Sequence, residues 1–105
     1  MDIKQKANLL IAWGNYQQEK NIDRVPHYPQ LVETTQPTIQ GRYKINQLHF
    51  EEGIAVEVKA DVNADRLSQY YPEISWVSGT VVDENNPALS KVDWQEIQTH
   101  LVKSS

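Results

Sequence analysis

The two residues whose types and spacing could do chemistry are Glu57 and Lys59, which stand two positions apart in the segment Ile54–Ala60. Successive side chains of a β-strand point to opposite faces of the sheet, so this acid and this base share one face. The opposite face takes the apolar residues Ile54, Val56, Val58 and Ala60. The segment therefore predicts a half-buried strand whose less apolar face presents a carboxylate beside an amine.

An acid and a lysine in this arrangement resemble the core of metal-dependent nucleases of the PD-(D/E)xK type. The resemblance covers residues 1–83 in element order, but in sequence it covers only Glu57 and Lys59. It implies that the pair helps to hold a divalent ion and to orient an attacking water molecule. The family expects an aspartate at the end of the preceding strand, where this chain has Asn46 or His49. A second carboxylate near Glu57 is therefore required by this alternative function.

The pair also has a purely structural interpretation. With 14 acids and seven lysines in 105 residues, about one acid-x-lysine triplet arises by chance, and Asp2-Ile3-Lys4 is a second example. A same-side ion pair on a solvated strand face contributes only ~0–1 kcal/mol. Glu57 and Lys59 are accordingly kept as catalytic residues of the nuclease alternative only.

Other kinds of catalytic or metal site have little support in the sequence. The absence of cysteine excludes disulfides, thiolate zinc sites and cysteine nucleophiles. The three histidines, His27, His49 and His100, do not have the spacing of a zinc site. There is no Gly-x-Ser-x-Gly motif, and the four glycines are too scattered to form a phosphate-binding loop. We expect no metal ligands and no cofactor.

Tyrosines beside prolines form the second candidate site. Tyr28 lies between two prolines, and Tyr70 and Tyr71 directly precede another. Exposed tyrosines on proline-stiffened loops bury a large area at little entropic cost when a partner binds. We predict that Tyr28, Tyr70 and Tyr71 contact a partner protein. The alternative is that these rings cover a thin core.

The first half of the chain predicts one helix and a hairpin. A helix from Ile3 to about Lys20 is capped by Asp2 and ends at Asn21 in a left-handed conformation. Gly14, inside it, indicates either a close approach by another backbone or a weak point. An ordered extended connection follows over residues 22–37.

Two strands are then predicted, over residues 38–50 and 54–60, with a bulge near Asn46 and Gln47 in the first. Glu51-Glu52-Gly53 forms the turn between them, with Gly53 at positive φ.

The second half predicts a short helix over residues 64–70, a third strand over residues 73–83, and a last helix capped by Asp93. Trp94, Ile97 and Leu101 line one face of that helix. The element order is α-β-β-(α)-β-α. This order predicts a single α+β domain, residues 1–105, with an antiparallel hairpin-based sheet packed against the N- and C-terminal helices.

The preferred interpretation is an interaction protein, because the sequence shows no catalytic constellation and the loop tyrosines are candidate contacts. The formal net charge is −4, which argues against nucleic-acid binding, and neither a signal peptide nor a membrane span is recognisable. We expect a small acidic, non-enzymatic cytoplasmic protein of the inhibitor, immunity-protein or antitoxin kind that binds another protein. A homodimer through paired sheet edges and a ligand pocket lined by Trp76 and Tyr43 stay open.

Overall fold

The N-terminal helix has the predicted bounds. In a computed structural model of the chain, which describes residues 1–22, 25–62 and 76–103, helix α1 runs Ile3–Lys20. The Gln5 amide donates to Asp2 Oδ1 at 2.8 Å, and the Asp2 amide donates to Gln5 Oε1 at 2.9 Å. Asn21 closes the helix with φ 50° and donates its amide to the carbonyl of Gln17. Local capping therefore sets both ends of α1.

The sheet is antiparallel and four strands wide, in the order β1-β3-β4-β5. Its strands are β1 Leu31–Thr34, β2 Thr38–Gln40, β3 Tyr43–Phe50, β4 Ala55–Asp61 and β5 Trp76–Val82. Strands β1 and β2 both pair with β3. Strand β1 pairs with the C-terminal half of β3, and β2 pairs with the N-terminal half of β3. They therefore form one interrupted edge of the sheet.

The predicted strand over residues 38–50 is in fact two strands. Gln40 pairs with Tyr43, so residues 41 and 42 form a two-residue turn, and Gly41 has φ 61°. The bulge predicted near Asn46 and Gln47 is wrong, because the β3–β4 register is continuous across both residues. The change of hydrophobic phase that suggested a bulge arises because β3 carries apolar residues on both faces, with Tyr43 and Ile45 half-buried on the outer face and Leu48 and Phe50 buried on the inner face.

The predicted connection over residues 22–37 contains the edge strand β1. Between β1 and β2 the Thr35 amide donates to the Gln47 carbonyl at 2.9 Å, and the Gln47 amide donates to Thr35 Oγ1 at 2.8 Å. Pro37 lies two residues after Thr35, directly before β2. A side-chain oxygen thus satisfies the β3 amide where the edge is interrupted.

The inner face of the sheet packs against α1 and forms the core. Ile54, Val56, Val58 and Ala60 are at most 3% exposed, which confirms the alternation predicted for β4. At Gly14 a Cβ would lie 2.8 Å from Leu48 Cδ2 and 3.3 Å from Phe50 Cζ. The close approach at this glycine is therefore to sheet side chains rather than to another backbone.

The C-terminal part joins the same core. A short 3-10 helix runs Pro87–Lys91 and α2 runs Trp94–Lys103, with the Glu96 amide donating to Asp93 Oδ1 at 3.0 Å. Ile97 and Leu101 are buried, and Trp94 packs beside them. The helix predicted over residues 64–70 lies outside the described residues. Among the helices that the structure describes, none has the length and apolarity to cross a membrane.

Candidate functional site

Glu57 and Lys59 lie on the outer face of the sheet, opposite α1, and both are half-buried. In the strand register Glu57 is paired with Gln47 on β3 and with Thr80 on β5. The predicted side-by-side placement on one face is thus present. The register positions directly beside Glu57 carry an amide and a hydroxyl, neither of which supplies the second carboxylate that the nuclease alternative requires.

The other candidates for that second acid also lie elsewhere. Asn46 is 6% exposed and belongs to the inner face, while Glu51 and Glu52 lie in the turn that ends the hairpin. Within residues 1–22, 25–62 and 76–103, no group of three His, Asp or Glu side chains is arranged to hold a metal ion. The described part of the site therefore adds nothing to the acid–lysine pair itself.

Tyr28 is a buried residue and not an exposed ring, which corrects the expectation of an exposed contact residue at this position. Its side chain is 5% exposed and meets the rings of Trp13 and His100 edge-on at 5.4 and 5.2 Å. The hydroxyl donates a hydrogen bond to Glu96. Tyr70 and Tyr71, the other predicted contacts, lie outside the described residues. The Tyr28 ring therefore packs into the core beneath the chain segment that carries it.

Burial raises the pKa of Tyr28 to about 12, and the hydrogen bond to Glu96 and the charges of Glu96 and Asp93 add to the effect. The unfolded chain ionises near pH 10, so this residue destabilises the fold as the pH rises from 10 towards 12. We expect Tyr28→Phe to flatten the fall of stability above pH 10 while leaving its trend below pH 9 unchanged. Urea unfolding midpoints at pH 8, 10 and 11 measure this. Equal slopes in the two proteins would contradict the assignment.

Two hydrogen bonds fix the proline loop, residues 25–29, to α1, and a third joins α1 to the start of β1. The Pro29 carbonyl accepts from Trp13 Nε1 at 2.5 Å and from Gln17 Nε2 at 2.6 Å. The Leu31 amide donates to Gln17 Oε1, so the same glutamine also holds the start of β1. Because a buried carbonyl or amide left without a partner is costly, these contacts oppose displacement of the loop from the helix.

His27 is the strained residue of the proline loop. It has φ 72°, in the left-handed region that costs a non-glycine residue about 1–2 kcal/mol. Its side chain is exposed. Backbone strain of this kind persists only where the surrounding structure imposes it, and here the bonded Pro29 carbonyl and the buried Tyr28 do so.

Beside the proline loop lies a cleft of about 130 Å³, which we call the anchor cleft. Its apolar wall comes from Pro29, Ile54, Ala88 and Val92, and its charged rim from Glu51, Glu52 and Lys91. Clefts that bind small molecules usually enclose ~300–1,000 Å³. The anchor cleft taken alone is smaller than this range and has the size of one side chain.

An open shelf of about 540 Å³ continues from this cleft past Asp93, Trp94 and Gln95. Cleft and shelf share His27, Lys91 and Val92, and together we call them the groove. Tyr43 does not line it, so it differs from the ligand pocket considered from sequence.

No family model, curated protein or solved structure matches this chain. The function must therefore be argued from the groove itself.

The sequence did not reveal the groove because three distant segments build it. Its walls come from the proline loop, the hairpin turn Glu51–Gly53 and the segment around Pro87–Lys91. Asn86 Nδ2 donates to the Glu52 carbonyl at 2.9 Å and so joins the last two segments across the end of the sheet. The prolines and the Glu-Glu-Gly turn were visible as separate local signals, but nothing local indicated that they meet.

Proposed function

We propose that this chain is a non-enzymatic domain that binds another protein and that the groove is its contact surface. The observation that carries the proposal is the anchor cleft, a preformed depression of about 130 Å³ with an apolar wall and a charged rim. Protein interfaces concentrate binding energy in a few side chains that enter such pockets, surrounded by polar contacts.

Rigidity supports this use of the groove. The Pro29 carbonyl is bonded to two side chains of α1, and the hairpin turn is bonded to Asn86. A surface that is already ordered loses little entropy on binding, so more of the contact energy appears as affinity. Tyr28 takes part as a wall of the cleft, whereas Tyr70 and Tyr71 stay predicted contacts. A small acidic domain with one rigid contact surface suits the inhibitor, immunity-protein or antitoxin kind of protein.

A cleft-filling substitution tests this proposal. Ala88→Leu adds three carbons to a side chain that lines the anchor cleft, so we expect it to reduce partner binding at least tenfold. The control, Val32→Leu, also enlarges an apolar side chain to leucine, on β1 at a position that is 69% exposed and outside the groove. Wild-type and variant proteins are immobilised, and retained proteins from the native cells are quantified by mass spectrometry. Thermal melts verify that both variants are folded.

The informative result is a protein retained by the wild type and by Val32→Leu but not by Ala88→Leu. Equal retention by a folded Ala88→Leu variant would exclude the groove as the contact surface. If no protein is retained above a blank matrix, the interaction function itself is contradicted.

A further inference from the structure

We infer that the groove receives an extended segment of the partner in which one aliphatic side chain is flanked by basic residues. This inference rests on the proposed function and specifies the chemistry of the partner. It depends on the volume of the anchor cleft, on the shelf that continues from it, and on the charges of the residues that line both.

The volume of the anchor cleft favours an aliphatic side chain of the partner. An apolar cavity of about 150 Å³ holds benzene, and the anchor cleft has a slightly smaller volume of about 130 Å³. Its lining includes the aliphatic side chains of Ile54, Ala88 and Val92, and the polar side chains Glu51, Glu52 and Lys91 form its rim. A leucine-sized group therefore fits where a tyrosine or tryptophan ring does not.

The shelf indicates that the partner binds as an extended segment. It leaves the cleft over Lys91 and Val92 and reaches Trp94 and Gln95 at the first turn of α2. A shallow surface that continues from a pocket on one side accommodates the chain on that side of the anchor residue. An extended segment lies along such a strip while one of its side chains enters the pocket and sets the specificity.

The charges select basic neighbours for the anchor residue. Among the described residues that line the groove, the carboxylates are Glu51, Glu52 and Asp93, and the one ammonium group is that of Lys91. Glu96, which accepts a hydrogen bond from Tyr28 and does not line the groove, adds a further negative charge. Complementary charges raise the association rate and reject partners of the same sign. Lysine or arginine on either side of the anchor residue complements the negative charge of this rim.

Short peptides test the inference directly. The probe is an acetylated, amidated pentapeptide with a central leucine between two pairs of lysines. Three comparison peptides each change one feature of the probe. The first replaces the central leucine by glycine, the second replaces the four lysines by serines, and the third replaces them by glutamates. Affinities come from titrations of the isotope-labelled protein followed by amide NMR resonances. We expect shifts confined to the groove, with affinity at least tenfold lower for the glycine peptide and at least tenfold lower for the glutamate-flanked peptide.

Charge-neutralising variants provide the matched controls. Glu52→Gln and Asp93→Asn should each weaken the lysine-flanked probe about two- to fivefold at low ionic strength, since each removes one solvent-exposed attraction. Asparagine is as good a helix cap as aspartate, so Asp93→Asn leaves α2 intact. Glu33→Gln, on β1 and outside the groove, should leave the affinity unchanged.

The outcomes separate this inference from the proposed function. Serine- and lysine-flanked leucine peptides of equal affinity would overturn the basic partner but keep the groove as a protein-binding surface. Shifts confined to residues outside the groove, or no shifts with any peptide, would overturn the extended segment. The Ala88→Leu retention experiment would then decide by itself whether the groove binds a protein at all.

Discussion

Trp13→Ala should lower the free energy of unfolding by about 3–5 kcal/mol, the cost of truncating a large aromatic core residue. Trp13 is fully buried, stacks on Tyr16 at 5.4 Å and meets Tyr28 at the same separation. Domains of this size have a total stability of ~5–15 kcal/mol, so the loss would be a large share of it. Urea unfolding followed by far-ultraviolet circular dichroism measures it.

A double-mutant cycle separates packing from hydrogen bonding at this site. Trp13→Phe keeps an aromatic ring but removes one donor to the Pro29 carbonyl, while Gln17→Met removes the other. Each single variant leaves the carbonyl one donor, whereas the double variant leaves it none. Burial of an unsatisfied carbonyl costs ~1–3 kcal/mol, so the double variant should lose more stability than the two single variants together. Additive losses would mean that water replaces the missing donors.

Gly14→Val should destabilise the protein by about 1–3 kcal/mol, although valine has a higher helix propensity than glycine. The reason is space, because even a Cβ at this position would lie 2.8 Å from Leu48 Cδ2. Chemical denaturation of the purified variants gives the loss. Gly14→Ala should cost less, since a gain of roughly 1 kcal/mol in helix propensity offsets part of the crowding.

The Leu48→Val background is the control for this contact. Valine has no δ-methyl group, so the additional loss caused by Gly14→Val should be smaller there than in the wild-type background. An identical loss in both backgrounds would show that the crowding arises from something other than Leu48.

The parts of the fold that sequence predicted well are those set by neighbouring residues. Asp2 and Asn21 mark the ends of α1 because a cap acts within one helical turn. The alternation in β4 is equally local, since burial of one face requires every second residue to be apolar. The antiparallel sheet and both terminal helices follow from such signals, and this α+β architecture is confirmed.

The features that sequence missed depend on contacts between distant segments. Strand β1 has only four residues, and its conformation is set by pairing with β3, so its own residues carry no strong signal. The burial of Tyr28 depends on Trp13 and on His100 of α2, which are remote in sequence. A proline-flanked tyrosine has the same local pattern whether its ring is exposed or buried. The groove was missed for the same reason.

The interrupted edge of the sheet has a consequence for the protein at high concentration. Strands β1 and β2 have four and three residues, with a register shift in β1 and Pro37 before β2. Val32 and Ile39 are exposed there, and an exposed apolar edge is the usual starting point for fibril growth. Cross-β stacking needs about six or seven continuous residues without proline. The break at residues 35–37 therefore lets this edge keep two exposed aliphatic side chains without becoming a template for amyloid.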